Sequence, residues 1–71
     1  MNKIEHAKNV AVLSDHIDYL REIAADYKLL ALGDTNRELL TEHCRRSAVF
    51  TVRADEAQQD LDALLATVVT A

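Results

Sequence analysis

Apolar residues recur along both halves of the chain at spacings that alternate between three and four residues. This alternation keeps side chains on one stripe of an α-helix, whereas a half-buried strand would alternate at every second residue. The sequence therefore predicts two long helices, at about residues 3–32 and 36–70, joined by a turn at 33–35. The stripe of the first helix consists of Val10, Leu13, Ile17, Leu20, Ala24, Tyr27 and Ala31. The stripe of the second helix consists of Leu40, His43, Ser47, Phe50, Ala54, Ala57, Leu61, Leu64, Val68 and Ala71.

The ends of both predicted helices carry capping signals. Asn2 followed by Glu5 has the form of a capping box, and Thr35 followed by Glu38 has the same form at the start of the second helix. We expect Gly33, the only glycine of the chain, to end the first helix in the left-handed conformation.

Residues 48–52, Ala-Val-Phe-Thr-Val, are the weakest part of the second predicted helix. β-Branched side chains lower helix propensity, and this pentad alone could form a strand. Because a single strand would have no partner in so short a chain, we expect the helix to continue through it. A break here, giving a three-helix bundle, is the alternative.

A turn near residue 35 would fold the two helices into an antiparallel hairpin, an all-α fold. Residues whose numbers add to about 70 would then face each other, and large side chains would oppose small ones in several layers. The layer of Ala24 and Ser47 is thin, so either the helices approach closely there or another group fills the space. The expected layers are Leu13 with Ala57, Ile17 with Ala54, Leu20 with Phe50, Ala24 with Ser47, Tyr27 with His43, and Ala31 with Leu40.

The size of the chain points to self-association. Its 71 residues, 49% of them hydrophobic, form a single domain, and chains this short bury only about 60–65% of their unfolded surface. Many apolar residues lie outside the two stripes, which is typical of an interface. We therefore expect a homodimer that completes a four-helix bundle. These residues are Val12, Tyr19, Ile23, Leu29, Leu30, Leu39, Cys44, Val49, Val52, Leu65 and Val69.

Charge and composition narrow the range of partners and cell compartments that we expect. The net charge of −4 disfavours a non-specific coat on nucleic acid. No apolar run approaches the roughly 20 residues that cross a bilayer, and the first residues lack the apolar segment of a secretory signal. A lone cysteine without such a signal favours the reducing cytoplasm.

Catalytic chemistry is not indicated. His43 and Cys44 are adjacent, as are Ser14, Asp15 and His16, and neighbours on a helix point about 100° apart rather than converging. We expect His43 instead to form a buried polar layer of the seam that fixes register, with a pH-sensitive or ligand-binding layer as the alternative. The sequence predicts no enzyme, no cofactor and no metal site.

The expected function is therefore that of a small protein–protein interaction module, an adaptor, inhibitor or small chaperone. Apolar and arginine side chains that lie together off the seam are typical of binding hot spots. The predicted partner-binding residues are Tyr19, Arg45, Arg46, Val49, Val52 and Arg53. The alternative is a dimeric nucleic-acid-binding regulator that uses the arginines of the second helix, Arg37, Arg45, Arg46 and Arg53.

Overall fold

The protein is a hairpin of two helices in a computed structural model that describes residues 2–67. Helix α1 spans Lys3–Gly33 and helix α2 spans Arg37–Leu65. They pack against each other along their length, giving a body of 56 × 14 × 10 Å. Within the described part, neither helix is long and apolar enough to cross a membrane.

The N-terminal cap of α1 confirms the prediction from the sequence. The side-chain Oδ1 of Asn2 accepts a hydrogen bond of 2.8 Å from the backbone N–H of Glu5. This bond satisfies one of the amide groups that have no partner within the first turn of a helix.

The start of α2 differs from the prediction by one residue. Asn36, not Thr35, is the N-cap, and its Oδ1 accepts hydrogen bonds from the N–H groups of Glu38 at 2.8 Å and Leu39 at 3.3 Å. Asparagine caps helices at least as well as threonine, so the adjacent asparagine displaces the expected capping box.

The prediction for Gly33 is wrong. Gly33 is the last residue of α1, and its φ is not positive. The chain leaves the helix at Asp34, whose extended conformation (φ −75°, ψ 130°) lets its N–H donate to the carbonyl of Ala31 at 3.2 Å. Because Asp34 makes the exit through an extended conformation open to any residue, no left-handed glycine is required.

Helix α2 continues unbroken through residues 48–52, as expected, so the three-helix alternative is excluded. Thr51 keeps its hydroxyl occupied by donating to the carbonyl of Ser47 at 2.9 Å, and Phe50 packs on the core. Tertiary packing thus outweighs local propensity. The helix ends at Leu65 rather than near residue 70, and the stripe positions Val68 and Ala71 lie outside the described residues.

The seam between the helices follows the predicted stripes. Its central cluster sets Ile17 and Leu20 of α1 against two alanines and a leucine of α2, with Ala54 completely buried. At the thin layer of Ala24 and Ser47 the two helices approach each other directly. The hydroxyl of Ser47 donates a hydrogen bond of 2.8 Å to the carbonyl of Ala24. The buried cluster is Ile17, Leu20, Ala54, Ala57 and Leu61, with Val10, Leu13 and Phe50 packed against it.

Candidate partner-binding surface

Each helix carries a second stripe beside its seam stripe, with the same spacing of three and four. On α1 this stripe is Val12, His16, Tyr19, Ile23, Asp26 and Leu30. On α2 it is Glu42, Arg46, Val49, Arg53, Glu56 and Asp60. Both stripes lie on the same side of the hairpin, because Val12 and His16 line one groove with Asp60, and Arg46 bonds to Tyr27 of α1. We call this side the arginine flank.

Two aromatic rings connect the seam to the centre of the arginine flank. The ring of Tyr27 stacks on that of Phe50 and lies beside that of His43, with centroids 5.9 Å apart in each case. The guanidinium of Arg46 lies 5.8 Å from the centroid of Tyr27, and that of Arg53 lies 5.3 Å from the centroid of Phe50. Such cation–π contacts hold cationic groups in place at the surface.

Glu42 accepts hydrogen bonds from two arginines of α2, Arg45 and Arg46. Its carboxylate accepts from Nε of Arg46 at 2.8 Å and from the guanidinium of Arg45. The hydrogen bond from Arg46, followed by that from Arg45, lowers the pKa of Glu42 below its ordinary value. The bond with Glu42, together with a 3.4 Å bond from Arg46 to the hydroxyl of Tyr27, raises the pKa of Arg46.

Most of the predicted partner-binding residues are neighbours on α2. Arg45, Arg46, Val49 and Arg53 line one shallow groove, together with Tyr27, Glu42 and Phe50. Val52 joins Arg45, Val49 and Arg53 in a second groove on the outer side of the helix, beside Ala48 and Glu56. Val49 and Val52 remain 42% and 54% exposed, so the arginines surround accessible apolar surface.

Tyr19 lies apart from the other predicted residues. It belongs to the α1 stripe of the arginine flank, is 60% exposed, and lines neither α2 groove. The structure therefore places one of the six residues on the other helix, with the seam between them.

A contact that sequence reasoning missed joins the turn to α2. Nδ1 of His43 and Oδ2 of Asp34 lie 2.6 Å apart, and the two side chains are only 20% and 14% exposed. The predicted pairing of His43 with Tyr27 exists as a ring contact, but His43 is half-buried rather than buried as expected. Ser47 is not bonded within it, because its hydroxyl donates to Ala24. The spacing of nine residues between Asp34 and His43 matches no helical period, so no sequence signal marked it.

The opposite flank of the hairpin carries an ion pair and a groove with polar groups. Arg21 forms an exposed ion pair with Asp55 at 3.6 Å, and Arg21, Lys28 and Thr51 line a groove there. Cys44 is an exposed free thiol about 200° around α2 from Arg46, so it lies away from the arginine flank.

Within residues 2–67, no group of three or more histidine, cysteine or acidic side chains is placed to hold a metal ion. No family model, curated protein or solved structure matches the chain.

Proposed function

We propose that the chain is a non-enzymatic protein–protein interaction module, an adaptor, inhibitor or small chaperone, that binds through its helical surface. The observation that carries the proposal is the pair of α2 grooves, in which exposed Val49 and Val52 lie among Arg45, Arg46 and Arg53. Apolar side chains surrounded by arginines favour protein binding, because the apolar part is desolvated and the arginines bond to the partner.

The fixed positions of two arginines support this function further. Arg46 is held by both Glu42 and Tyr27, and Arg53 lies over Phe50. A side chain already held in one conformation loses less entropy when a partner binds. The surface is therefore partly organised for binding before it meets a partner.

Self-association into a four-helix bundle is a second proposal, separable from the binding of another protein. Among residues 2–67, the seven buried hydrophobic residues include four alanines and nothing larger than leucine or isoleucine, while Val12, Tyr19 and Leu30 stay exposed. So thin a core is marginal for a chain of this length, and a second subunit is the usual remedy. Two hairpins packed at about 20° would cover the exposed side chains.

We also propose that the chain has no enzyme activity and that it acts in the reducing cytoplasm. The grooves on the described surface are shallow and open, whereas catalytic pockets enclose most of a substrate. An exposed free thiol such as that of Cys44 is compatible with a reducing compartment.

Nucleic-acid binding is the less favoured function. The charges of Arg45 and Arg46 are shared with Glu42, and the chain as a whole carries a net charge of −4. Phosphate binding depends on unbalanced positive charge.

Partner capture from the source organism, followed by titration of the captured protein, tests the proposed function. We expect Arg45→Glu combined with Val52→Ser to weaken binding by about 100-fold or more, because it removes an arginine and an apolar contact from the outer groove. The matched control, Lys28→Glu combined with Leu32→Ser, makes the same kinds of change at exposed positions outside the α2 grooves. Equal affinity of both variants would refute the surface assignment, and capture of nucleic acid with a steep salt dependence would favour the alternative.

A further inference from the structure

We propose that the arginine flank binds the same flank of a second copy in antiparallel orientation, with the two hairpin turns at opposite ends of a four-helix bundle. This inference rests on the proposed interaction function and specifies one occupant of the flank. The two-fold axis would lie perpendicular to the long axis, so that α1 packs on the partner's α1 and α2 on the partner's α2.

The unequal chemistry of the two stripes favours this orientation. The α1 stripe is mainly apolar, with Val12 69%, Tyr19 60% and Leu30 52% exposed, whereas Val49 is the only apolar member of the α2 stripe. A two-fold axis along the hairpin would instead set α1 against the partner's α2. Carboxylates of Asp60 and Glu42 would then be buried near Val12 and Leu30, at a cost in desolvation.

The α1 stripe matches itself in the antiparallel register. Pairing residues whose numbers add to 42 places each apolar member against another apolar member and each polar member against an opposite charge or hydrogen-bond partner. The pairs are Val12 with the partner's Leu30, His16 with the partner's Asp26, and Tyr19 with the partner's Ile23.

The α2 stripe matches itself about the same axis at its four central positions. Numbers that add to 102 place Arg46 against the partner's Glu56 and Val49 against the partner's Arg53. Glu42 would face the partner's Asp60, but its charge is already balanced by two arginines of its own chain.

The two registers are consistent with one another. The α1 pairs centre on residue 21 and the α2 pairs on residue 51, and Arg21 and Thr51 line the same groove at one level of the hairpin. A single two-fold axis therefore satisfies both helices. Arg45 and Val52 lie farther around α2 than Arg46 and Val49, on the outer groove, and stay accessible to another protein.

A spin-label distance determines the orientation. Thr35 is exposed in the turn, and Thr35→Cys in a Cys44→Ser chain carries one label for each subunit. Residue 35 lies 14 positions from the axis, about 21 Å along the helix, so the labels of an antiparallel dimer should be about 42 Å apart. A separation of about 25 Å or less would overturn the proposal, because it would place both turns at one end.

Disulfide trapping tests the register. His16→Cys combined with Asp26→Cys, again with Cys44→Ser, should form covalent dimers on mild oxidation. The matched control is Ser14→Cys combined with Lys28→Cys, which has the same number sum of 42. Lys28 lines a groove on the opposite flank, and Ser14 lies on the same face of α1 as Lys28 because 14 residues make nearly four turns, so this pair should remain uncrosslinked. Equal trapping of both pairs, or trapping of the control alone, would overturn the flank assignment.

The outcomes separate this inference from the proposed function. A chain that stays monomeric at every concentration, yet loses its partner through the Arg45 and Val52 changes, refutes the dimer and retains the function. If the chain forms an antiparallel dimer but the Arg45 and Val52 changes leave its affinity for the partner unchanged, the dimer is retained and the proposed binding surface is refuted.

Discussion

The imidazole of His43 contacts the carboxylate of Asp34 at 2.6 Å and so ties the turn of the hairpin to the second turn of α2. Both side chains are largely shielded from solvent. A hydrogen bond to a charged group in such a site stabilises a fold more than one on an open surface. Asp34 also ends α1, so one residue terminates a helix and fixes the direction in which the chain returns.

Removing this contact should destabilise the hairpin. We expect Asp34→Ala to lower the free energy of unfolding by about 1–3 kcal/mol, because it leaves the half-buried ring of His43 without its partner. Urea denaturation of Asp34→Ala, His43→Ala and the double variant would measure the coupling between the two residues. Strict additivity of the two single changes would contradict a direct contact.

The two candidate N-caps of α2, Thr35 and Asn36, differ in the loss of stability expected when each is replaced by alanine. Asn36→Ala should cost about 1 kcal/mol of stability, because the N–H groups of Glu38 and Leu39 lose their acceptor. Thr35→Ala should change stability by less than about 0.5 kcal/mol. Thermal melts followed by circular dichroism would compare them, and a larger loss for Thr35→Ala would restore the capping box expected from the sequence.

Replacement of Gly33 tests the course of the chain at the end of α1. Gly33 is helical, and an added Cβ would meet no atom within 4 Å. Gly33→Ala should therefore stabilise the protein by about 0.4–1 kcal/mol, since alanine restricts the unfolded chain more than glycine does. A destabilised variant would show that the residue needs the left-handed conformation after all.

Acid should weaken the hydrogen bonds that Glu42 accepts from Arg45 and Arg46. Because the folded-state pKa of Glu42 lies below its ordinary value, its contribution to stability is present above the unfolded-state pKa and is lost as the pH falls through the folded-state pKa. NMR titration of the side-chain carboxyl would follow this group directly.

Arg46→Met should raise the pKa of Glu42 toward its ordinary value, and it should do so more than Arg45→Met, because the hydrogen bond from Arg46 is the largest cause of the shift. An unchanged titration of Glu42 in Arg46→Met would show that the bond does not form in solution.

The sequence predicts most of the fold because helical periodicity is a local signal. The seam stripes and the layers of Ala24 with Ser47 and of Tyr27 with His43 follow from spacing, and the cap at Asn2 follows from residue type. The connection is harder to predict, because Thr35 and Asn36 are both good caps and Gly33 is compatible with two conformations. Tertiary contact decides among them, since His43 holds Asp34 in place.

The candidate surface is predictable in part. Spacing on one helix groups Arg45, Arg46, Val49, Val52 and Arg53, and the structure brings them to adjacent grooves. Spacing gives no information about which acidic or aromatic side chain meets an arginine. The contacts of Arg46 with Glu42 and Tyr27, and of Arg53 with Phe50, therefore appear only in the structure.

Sedimentation equilibrium across a wide concentration range tests most directly the central claim that the arginine flank is the interface of a homodimer. The wild-type chain should sediment with twice the mass of one chain, and Tyr19→Asp should raise the dimer dissociation constant by about 30-fold or more, because it places a charge on the apolar stripe. Ser14→Asp, on the opposite flank, should not change the dissociation constant. A wild-type chain that is helical and monomeric throughout, or a dimer weakened equally by both changes, would contradict the claim.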